Sequence, residues 1–191
     1  MNFSRLGMAV LATVLAVWGM AVELTAQQQV QPRPRFSPHE TISQVIDGAR
    51  VTVTYGRPYT NDPKTGEPRE IWGKVVPYGK VWRAGADEAT TLITQKPLVV
   101  EGATLPAGVY SLFFLPEQNG TSKLVVNRQY GHWGTQYDAS QDLVRIDAAK
   151  ETLTTPLDQF QISLLKKEGG GGVIRLAWAS LQFSVPFSVQ N

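Results

Sequence analysis

The stretch Leu181-Gln-Phe-Ser-Val-Pro-Phe-Ser-Val189 alternates apolar and polar side chains over nine residues. Successive side chains of a β-strand point to opposite faces of the sheet. One face of this strand would therefore carry Leu181, Phe183, Val185, Phe187 and Val189. Strict alternation of this length predicts a half-buried strand of an antiparallel sheet.

The same period of two recurs along the chain. Three further sets of alternate residues form apolar faces of the same kind: Val51, Val53 and Tyr55; Phe160, Ile162 and Leu164; Ile174, Leu176 and Trp178. Gly108 to Leu115 is apolar on both faces, which predicts a central strand that is covered on both sides. The pattern predicts an all-β fold, an antiparallel β-sandwich or jelly-roll-like single domain, with a small barrel as the alternative. Helix is expected only as one turn around residues 139–143.

Prolines and glycines indicate where these strands end or bend. Pro186 has no N–H to donate, so the last strand should be an edge strand or carry a bulge there. Pro106 and Gly108 favour a tight turn, and we expect residues 101–110 to form a hairpin. The run Glu168-Gly-Gly-Gly-Gly172 lacks the Gly-Lys-Ser/Thr ending of a phosphate loop and is interpreted as a hairpin tip.

The amino-terminal residues have the layout of a secretory signal peptide. Arg5 precedes an apolar run of 17 residues, Leu6 to Val22, and Ala26 ends a plausible cleavage site. The alternative is an uncleaved membrane anchor, for which this run is at the short limit. We expect a signal peptide over 1–26, a flexible Gln/Pro-rich spacer over 27–38 and a β domain over 39–191. The protein would then be exported to the periplasm or the extracellular space, with no membrane span after cleavage.

Composition excludes several classes of function. The chain has no cysteine, so thiol chemistry, disulfides and thiolate metal sites are excluded. A net charge of +2 from 18 basic and 16 acidic residues gives no electrostatic footprint for nucleic acid. His39 and His132 are 93 positions apart and belong to no metal-binding motif, so we predict no metal site and no cofactor.

The segment from Val76 to Thr91 is the main candidate site, because it mixes aromatic, cationic and acidic residues. Asp87 and Glu88 are adjacent, and on a strand they would face opposite ways. They would then not form the facing carboxylate pair that a glycosidase needs. Arg83 and Glu88 could instead form a partly buried ion pair, which is a structural rather than a catalytic role.

Other candidates lie in predicted loops. Arg57 follows a core strand and could receive a carboxylate or phosphate, or pair with a nearby acid. Trp133 lies beside His132 in a glycine-containing loop, where its indole could be an exposed platform for sugars or peptides or could fill one end of the sandwich. We expect Trp82 and Trp178 to be core residues. The predicted ligand-binding set is Arg57, Arg83, Asp87, Glu88, His132 and Trp133.

Five stretches together form a recognisable pattern: Ser37-Pro-His39, Val51-Thr-Val-Thr-Tyr-Gly-Arg-Pro58, Val76 to Thr91, Leu105-Pro-Ala-Gly-Val-Tyr-Ser-Leu-Phe113 and His132-Trp-Gly134. In these stretches the chain resembles the exported bacterial proteins known as domain of unknown function 2911 (DUF2911). The resemblance runs from about Ser37 to the carboxyl terminus. It implies export and a single β domain, and it carries no activity that could be transferred.

Three functions are compatible with these residues. The first is a non-catalytic exported β-sandwich that binds a small or extended ligand, either a glycan or a peptide. The second is a hydrolase in which Glu88 or Asp87 is the general acid or base and Arg83 polarises the substrate. The third is an envelope interaction module that docks a partner protein through an edge strand or the loop from Tyr59 to Glu70.

Overall fold

A computed structural model describes residues 35–190. These residues form two antiparallel sheets with almost no helix, as the alternating pattern predicts. The predicted signal peptide over 1–26 and residues 27–34 of the predicted spacer lie outside the described residues. Within 35–190, no helix has the length and apolar character needed to cross a lipid bilayer.

Ten strands make up the sandwich: β1 (His39–Ile46), β2 (Ala49–Gly56), β3 (Thr90–Thr94), β4 (Leu98–Val100), β5 (Ala103–Leu105), β6 (Gly108–Leu115), β7 (Lys123–Asn127), β8 (Asp142–Asp147), β9 (Ala149–Lys166) and β10 (Gly172–Val189). The six-stranded sheet has the order β1-β2-β3-β6-β7-β8, and the four-stranded sheet has the order β5-β4-β10-β9. A single 3-10 turn, Ala139–Gln141, lies where the sequence predicts one helical turn.

Two of the hairpins have two-residue turns whose backbone twist matches the right-handed twist of the strands they connect. Asp47 and Gly48 join β1 to β2 with φ angles of 46° and 76°, and Glu101 and Gly102 join β4 to β5 with 48° and 79°. Positive φ at both turn residues is the signature of a type I′ turn. The five residues between Lys166 and Gly172 connect β9 to β10, which confirms the predicted hairpin at the glycine run.

The predicted hairpin over residues 101–110 is wrong. The turn at Pro106 leads from β5 in the four-stranded sheet to β6 in the six-stranded sheet. β5 pairs with β4, whereas β6 pairs with β3 and β7. A proline turn reverses the chain locally, but the partner of each strand is chosen by which side chains it buries.

The core lies between the two sheets and contains the apolar faces that the sequence predicts. Val51, Val53 and Tyr55 of β2 face Phe160 of β9 and Trp178 of β10, and each is at most 2% exposed. Trp82 is 8% exposed and stacks on Trp178, with ring centroids 5.8 Å apart. Phe160 meets both indoles and the Tyr55 ring, so aromatic rings connect the two sheets.

A bulge in β10 opens the four-stranded sheet beside Trp178. The register with β9 shifts on both sides of Ala179, which has a φ of 49°. Where β9 leaves β10, its backbone bonds to residues 58–60 instead, through Phe160 N to Pro58 O at 2.9 Å and Thr60 N to Asp158 O at 2.7 Å. The bulge therefore admits a loop from the other sheet to the side of Trp178.

Pro186 lies between two paired parts of β10. The register with β9 ends at Ser184, and the register with β4 begins at Ser188. β10 is an inner strand of its sheet, so the expectation of an edge strand is wrong. The missing N–H of Pro186 is tolerated because the residue lies where one partner strand has ended and the other has not begun.

A smaller apolar cluster covers the outer face of the six-stranded sheet. Phe113 of β6 packs there with Ala89 and Val125, and Tyr137 covers them from the loop that precedes the 3-10 turn. This second cluster explains why β6 is apolar on both faces, as the sequence predicts for a central strand.

We predict that Phe160→Ala lowers the free energy of unfolding by about 3–5 kcal/mol, because it removes a fully buried ring from the contact between the sheets. Urea denaturation measures this loss. Ile93→Ala, at a residue 40% exposed on the outer face, is the control and should cost less than about 1 kcal/mol. Equal losses for the two variants would contradict the assignment of Phe160 to the core.

Candidate functional site

A cavity of 180 Å³ opens beside the bulge in β10 and is called the Arg83 cavity here. Its polar lining includes Arg69, Arg83 and Asp87. Its apolar lining includes Phe36, Tyr59, Trp82 and Trp178. Phe36 and Tyr59 are 55% and 43% exposed, so they form the mouth, while Trp82 and Trp178 belong to the core behind it.

The backbone fixes Arg83 at the wall of this cavity. β3 starts at Thr90, and before it Trp82 occupies the position beside β6. Trp82 N–H donates to Phe114 O at 2.8 Å, and Phe114 N–H donates to Trp82 O at 2.7 Å. The stem of Arg83 then passes over Gly134, where a Cβ would lie 2.0 Å from Arg83 Cδ. Only glycine at residue 134 leaves space for the arginine stem in this position.

Arg83 is partly buried, and among the described residues its guanidinium lacks a partner at Nε. Its Nε atom is buried and has no hydrogen-bond acceptor within residues 35–190. Burial lowers the pKa of Arg83, and the nearby charge of Asp87 offsets part of that effect. A buried donor without an acceptor costs about 1–3 kcal/mol, so this side chain destabilises the fold that holds it.

Trp178 adds a second donor of the same kind. Its side chain is fully buried, and its Nε1 atom has no acceptor among the described residues. Its carbonyl oxygen, freed from β9 by the bulge, accepts a hydrogen bond of 3.0 Å from Trp72 Nε1. Two buried N–H donors, Arg83 Nε and Trp178 Nε1, therefore belong to residues that line one cavity.

The loop between Arg83 and Glu88 is held in a strained conformation. Ala84 and Asp87 have φ angles of 48° and 65°, in the left-handed region that non-glycine residues rarely adopt. Gly56 makes room for this loop, because a Cβ there would lie 2.3 Å from Ala86 O. Such strain persists only where the surroundings impose it, and it is concentrated at functional sites.

A second depression, called the Glu88 depression, lies on the other side of this loop. It has a volume of 250 Å³, and Arg35, His39, Glu88 and Gly131 are part of its lining. His39 Nε2 lies 3.1 Å from Asp87 Oδ2 and 3.6 Å from Glu88 Oε2. The left-handed φ of Asp87 thus brings both adjacent carboxylates to one imidazole, whereas on a strand they would diverge.

The predicted ion pair between Arg83 and Glu88 is wrong. Glu88 Oε1 instead accepts hydrogen bonds from Arg35, at 3.0 Å from Nε and also from Nη2. Burial opposes ionisation of Glu88, but the hydrogen bonds and charge of Arg35 outweigh it and lower the pKa of Glu88. Glu88 is therefore held as a carboxylate, which a general acid at neutral pH would not be.

The remaining predicted site residues do not share the Arg83 cavity. Arg57 Nε lies 3.4 Å from Glu40 Oε2 and 3.3 Å from Phe160 O, so it forms a salt bridge at the sheet edge. Trp133 pairs through its backbone with Glu88 and is half-buried. The six predicted binding residues are thus distributed around the loop and do not line one cavity.

His132 lines a third, open depression of 520 Å³, called the Tyr130 depression, together with Arg128, Gln129, Tyr130 and Gln136. Tyr130 is 60% exposed. Both ring nitrogens of His132 are buried and have no partner within the described residues. Residues 35–190 contain no group of three or more His, Asp or Glu side chains that could hold a metal ion.

Sequence reasoning missed Arg35, Phe36, His39 and Tyr59 as site residues, although all four line the first two concavities. Arg35 and Phe36 lie before β1, His39 is its first residue, and Tyr59 follows β2. At these positions no periodic pattern indicates orientation. Tyr59 is placed by its bridge to Gln159 of β9, a contact between residues 100 positions apart. Such long-range contacts leave no local signal in the sequence.

Comparison with protein families gives one match: a family model described as protein of unknown function (DUF2911) matches residues 37–187. The chain belongs to this family. Comparisons with functionally described proteins and with solved structures each found no match. The DUF2911 match covers nearly all of both sheets and most of the residues that line the three concavities, although Arg35 and Phe36 precede it, and it assigns no chemistry to them.

We predict that Glu88→Gln lowers the melting temperature slightly at pH 7, by less than about 4 °C, because it weakens a partly exposed ion pair. Because the pKa of Glu88 is lower in the folded protein than its ordinary value of 4.5, the stabilisation by this ion pair is fully present above pH 4.5. It is lost progressively as the pH falls through the lower folded pKa, so the difference in melting temperature should be smaller at pH 3 than at pH 7. Calorimetric melting at both pH values measures this.

Glu168→Gln, at the exposed tip between β9 and β10, is the control and should change the melting temperature at neither pH. A difference between Glu88→Gln and the parent protein that is as large at pH 3 as at pH 7 would contradict a stabilisation by charge.

We also predict that Arg83→Met raises the free energy of unfolding by up to about 2 kcal/mol, because it keeps the stem and removes a buried donor without an acceptor. Arg145→Met should have the opposite effect, since Arg145 donates to Asp142 Oδ2 and Tyr137 OH at 2.9 Å each. Urea denaturation measures both. A loss of more than about 1 kcal/mol for Arg83→Met would show that Arg83 is a structural residue.

Proposed function

We propose that the protein is a non-catalytic binding module that takes an acceptor-bearing, acidic group of a glycan or peptide ligand into the Arg83 cavity. The observation that supports this most directly is that Arg83 and Trp178, whose Nε and Nε1 donors are buried without acceptors among the described residues, both line one cavity. A ligand carboxylate has two acceptor oxygens for such donors. Its binding would recover the hydrogen bonds that the free protein lacks.

The charge of the cavity supports a single acidic group. Its charged lining consists of Arg69, Arg83 and Asp87, which leaves one formal positive charge. Arg69 is partly engaged, since its Nη2 donates to Tyr59 O at 2.6 Å. Arg83 is therefore the cation with unused donors, and one monoanionic group balances the site.

The size and walls of the cavity support a small bound group. Its volume of 180 Å³ is below the range of about 300–1,000 Å³ that is typical of sites for drug-sized ligands. Exposed Phe36 and Tyr59 at the mouth offer aromatic surface to the part of the ligand outside. One sugar ring or one terminal residue of a longer ligand fits this arrangement.

The two other hypotheses receive less support from the geometry. For the hydrolase, Arg35 holds Glu88 as a carboxylate, which excludes Glu88 as the general acid at neutral pH and leaves it only the role of a general base. The loop from Tyr59 to Glu70 supplies Tyr59, Pro63 and Arg69 to the cavity, which favours ligand binding over the docking of a partner protein. The signal-peptide pattern at residues 1–26 supports a further proposal, that binding takes place outside the cytoplasm.

The test is a titration of the ¹⁵N-labelled protein followed by the indole N–H signals of its five tryptophans. The probes are glucuronate and N-acetyl-dialanine, with glucose and N-acetyl-dialanine amide as neutral counterparts. At least one acidic probe should shift the Trp178 indole signal, which Trp178→Phe identifies, and its neutral counterpart should not. Arg83→Met should weaken that binding by at least about tenfold, because it removes a hydrogen bond to a charged group.

Arg57→Met is the matched control, since Arg57 is paired with Glu40 and does not line the cavity. It should leave the affinity unchanged. A Trp178 signal that none of the four probes moves, or equal losses for the two arginine variants, would overturn the proposed function.

A further inference from the structure

The two sheets have four edge strands, β1 and β8 in one sheet and β5 and β9 in the other. β5 is closed to further pairing by its length, since Ala103–Leu105 has only three residues. β8 carries Arg145 and Asp147, and the Asp147 N–H donates to Glu101 Oε2 at 3.1 Å. Short edges, charged side chains and covering groups are the usual means by which proteins prevent the addition of another strand.

β9 is protected along its length by several of the same means. Its first half carries Lys150 and Pro156, and its last residue is Lys166. Between them, the Ile162 N–H donates to Tyr55 OH at 2.9 Å, so a side chain of the other sheet covers this part of the edge. Length, charge, proline or a covering group therefore blocks β5, β8 and β9.

The edge of β1 has none of these features. Thr41-Ile-Ser-Gln-Val-Ile46 contains no charged residue and no proline, and most of its residues are β-branched, which favours an extended strand. Within residues 35–190, no backbone hydrogen bond joins this stretch to a segment other than β2. The second side of β1 is therefore open to another strand.

The register shows which backbone groups of β1 are unused. Gln95 N–H donates to Arg50 O at 3.1 Å, so the backbone groups of Arg50 in β2 are directed toward β3. The partner of Arg50 in β1, Val45, is therefore not hydrogen-bonded to β2. Hydrogen-bonded and non-hydrogen-bonded pairs alternate along an antiparallel ladder, so Ser43 and Thr41 are oriented like Val45. The N–H and C=O groups of these three residues point out of the sheet edge.

Space lies beside this edge. A depression of 230 Å³ between β1 and β9 is lined by residues of both strands, including Ser43. Ile42 and Leu164 also line it, and both are only partly buried against the core. An added strand would thus find free hydrogen-bonding groups at the edge and apolar surface next to them.

From the open edge we propose that β1 is an interface at which two copies of this chain pair, antiparallel and related by a two-fold axis at Ser43. Ser43 then lies opposite Ser43 of the second copy, and Thr41 lies opposite Val45. Each of these pairs can exchange two backbone hydrogen bonds. Both copies use the same strand, as a two-fold interface requires. The inference goes beyond the proposed function, because it does not involve the Arg83 cavity.

The charge pattern favours a second copy as the occupant of this edge. Like charges directly opposite each other destabilise a strand pair, and residues 41–46 bring none together. At each end of the contact the same register places His39 opposite Asp47, a base opposite an acid. The remaining charge of β1, Glu40, is paired within its own chain, with 3.4 Å between its Oε2 and Arg57 Nε. β1 is therefore complementary to itself.

Pairing also covers apolar surface and limits the assembly to two copies. The Val45 side chain is 43% exposed, and Thr41 of the second copy would lie against it. On the opposite face, Gln44 of the second copy would lie beside Ile42. The extended sheet would then end at β8 of each copy, where charged residues block further pairing. A closed dimer is therefore expected rather than an open chain of copies.

The experiment measures the association of the purified protein by sedimentation velocity over a concentration series. We expect a reversible rise from the mass of one chain to that of two, with no larger species. Ser43→Lys and Ser43→Glu each place like charges opposite each other across the two-fold axis, so each should weaken the dimer at least about tenfold. Mixing the two variants should restore association, because lysine then lies opposite glutamate. Native mass spectrometry should show one copy of each variant in the restored dimer.

Thr152→Lys is the matched control, since it adds the same charge at an exposed residue of another edge strand, β9. It should leave the dimer unchanged. Ser43 is exposed, so its variants should remain folded, which circular dichroism and thermal melting check.

Several results would overturn the inference. One is a protein that stays monomeric at every concentration, and another is a pair of Ser43 variants that associate as the parent protein does. A dimer that both variants disrupt and their mixture does not restore would overturn the pairing about Ser43, and larger species would contradict a closed dimer. If the protein stays monomeric yet binds a peptide with the sequence of residues 40–47, β1 accepts an extended segment, and the second copy is overturned as its occupant. The test of the proposed function, the Trp178 signal, is independent of all these results.

Discussion

The contact between Trp82 and Trp178 is the interaction on which both the sandwich and its candidate site depend. Trp178 comes from β10 of one sheet, and Trp82 lies beside β6 of the other, so their stacking joins the two sheets. Phe160 closes the same cluster. Both indoles are also part of the wall of the Arg83 cavity. The residues that stabilise the fold and the residues that shape the cavity are therefore partly the same.

This arrangement explains how the protein tolerates unfavourable features close together. The left-handed Ala84 and Asp87, and the buried donors of Arg83 and Trp178, each cost on the order of 1–3 kcal/mol. They lie beside the most densely aromatic part of the core, where burial of large rings offsets such costs. The side chain of Gly134 is only hydrogen, so Arg83 can be pressed into this wall. Stability from the core thus permits a candidate site that is itself destabilising.

The acidic pair Asp87 and Glu88 organises the surface around the cavity. Asp87 bonds to His39 at the start of β1, and Glu88 bonds to Arg35 in the segment before it. These contacts hold residues 35–39 against the loop that carries Arg83. Phe36 is consequently placed at the mouth of the Arg83 cavity. In this protein the two carboxylates position other groups, and Arg83 provides the unused donor.

Periodicity in the sequence determined the fold class, the inward residues and the covered central strand. Alternation at Leu181 to Val189 and at Val51 to Tyr55 reports directly which side chains leave water. The residue types also identified Arg83 and Asp87 as candidates, because charge amid aromatic residues is unusual in a core segment.

Only the tertiary structure decided which partners the site residues have. Arg35 lies 53 positions from Glu88, and Tyr59 is placed by a bridge to Gln159. The left-handed φ of Asp87 reversed the expected divergence of the two carboxylates, and the Pro106 turn changed sheets rather than closing a hairpin. A local pattern determines which face of a strand is buried. Which distant residues meet at a site depends on how whole strands pack against each other, and no local pattern in the sequence reports those contacts.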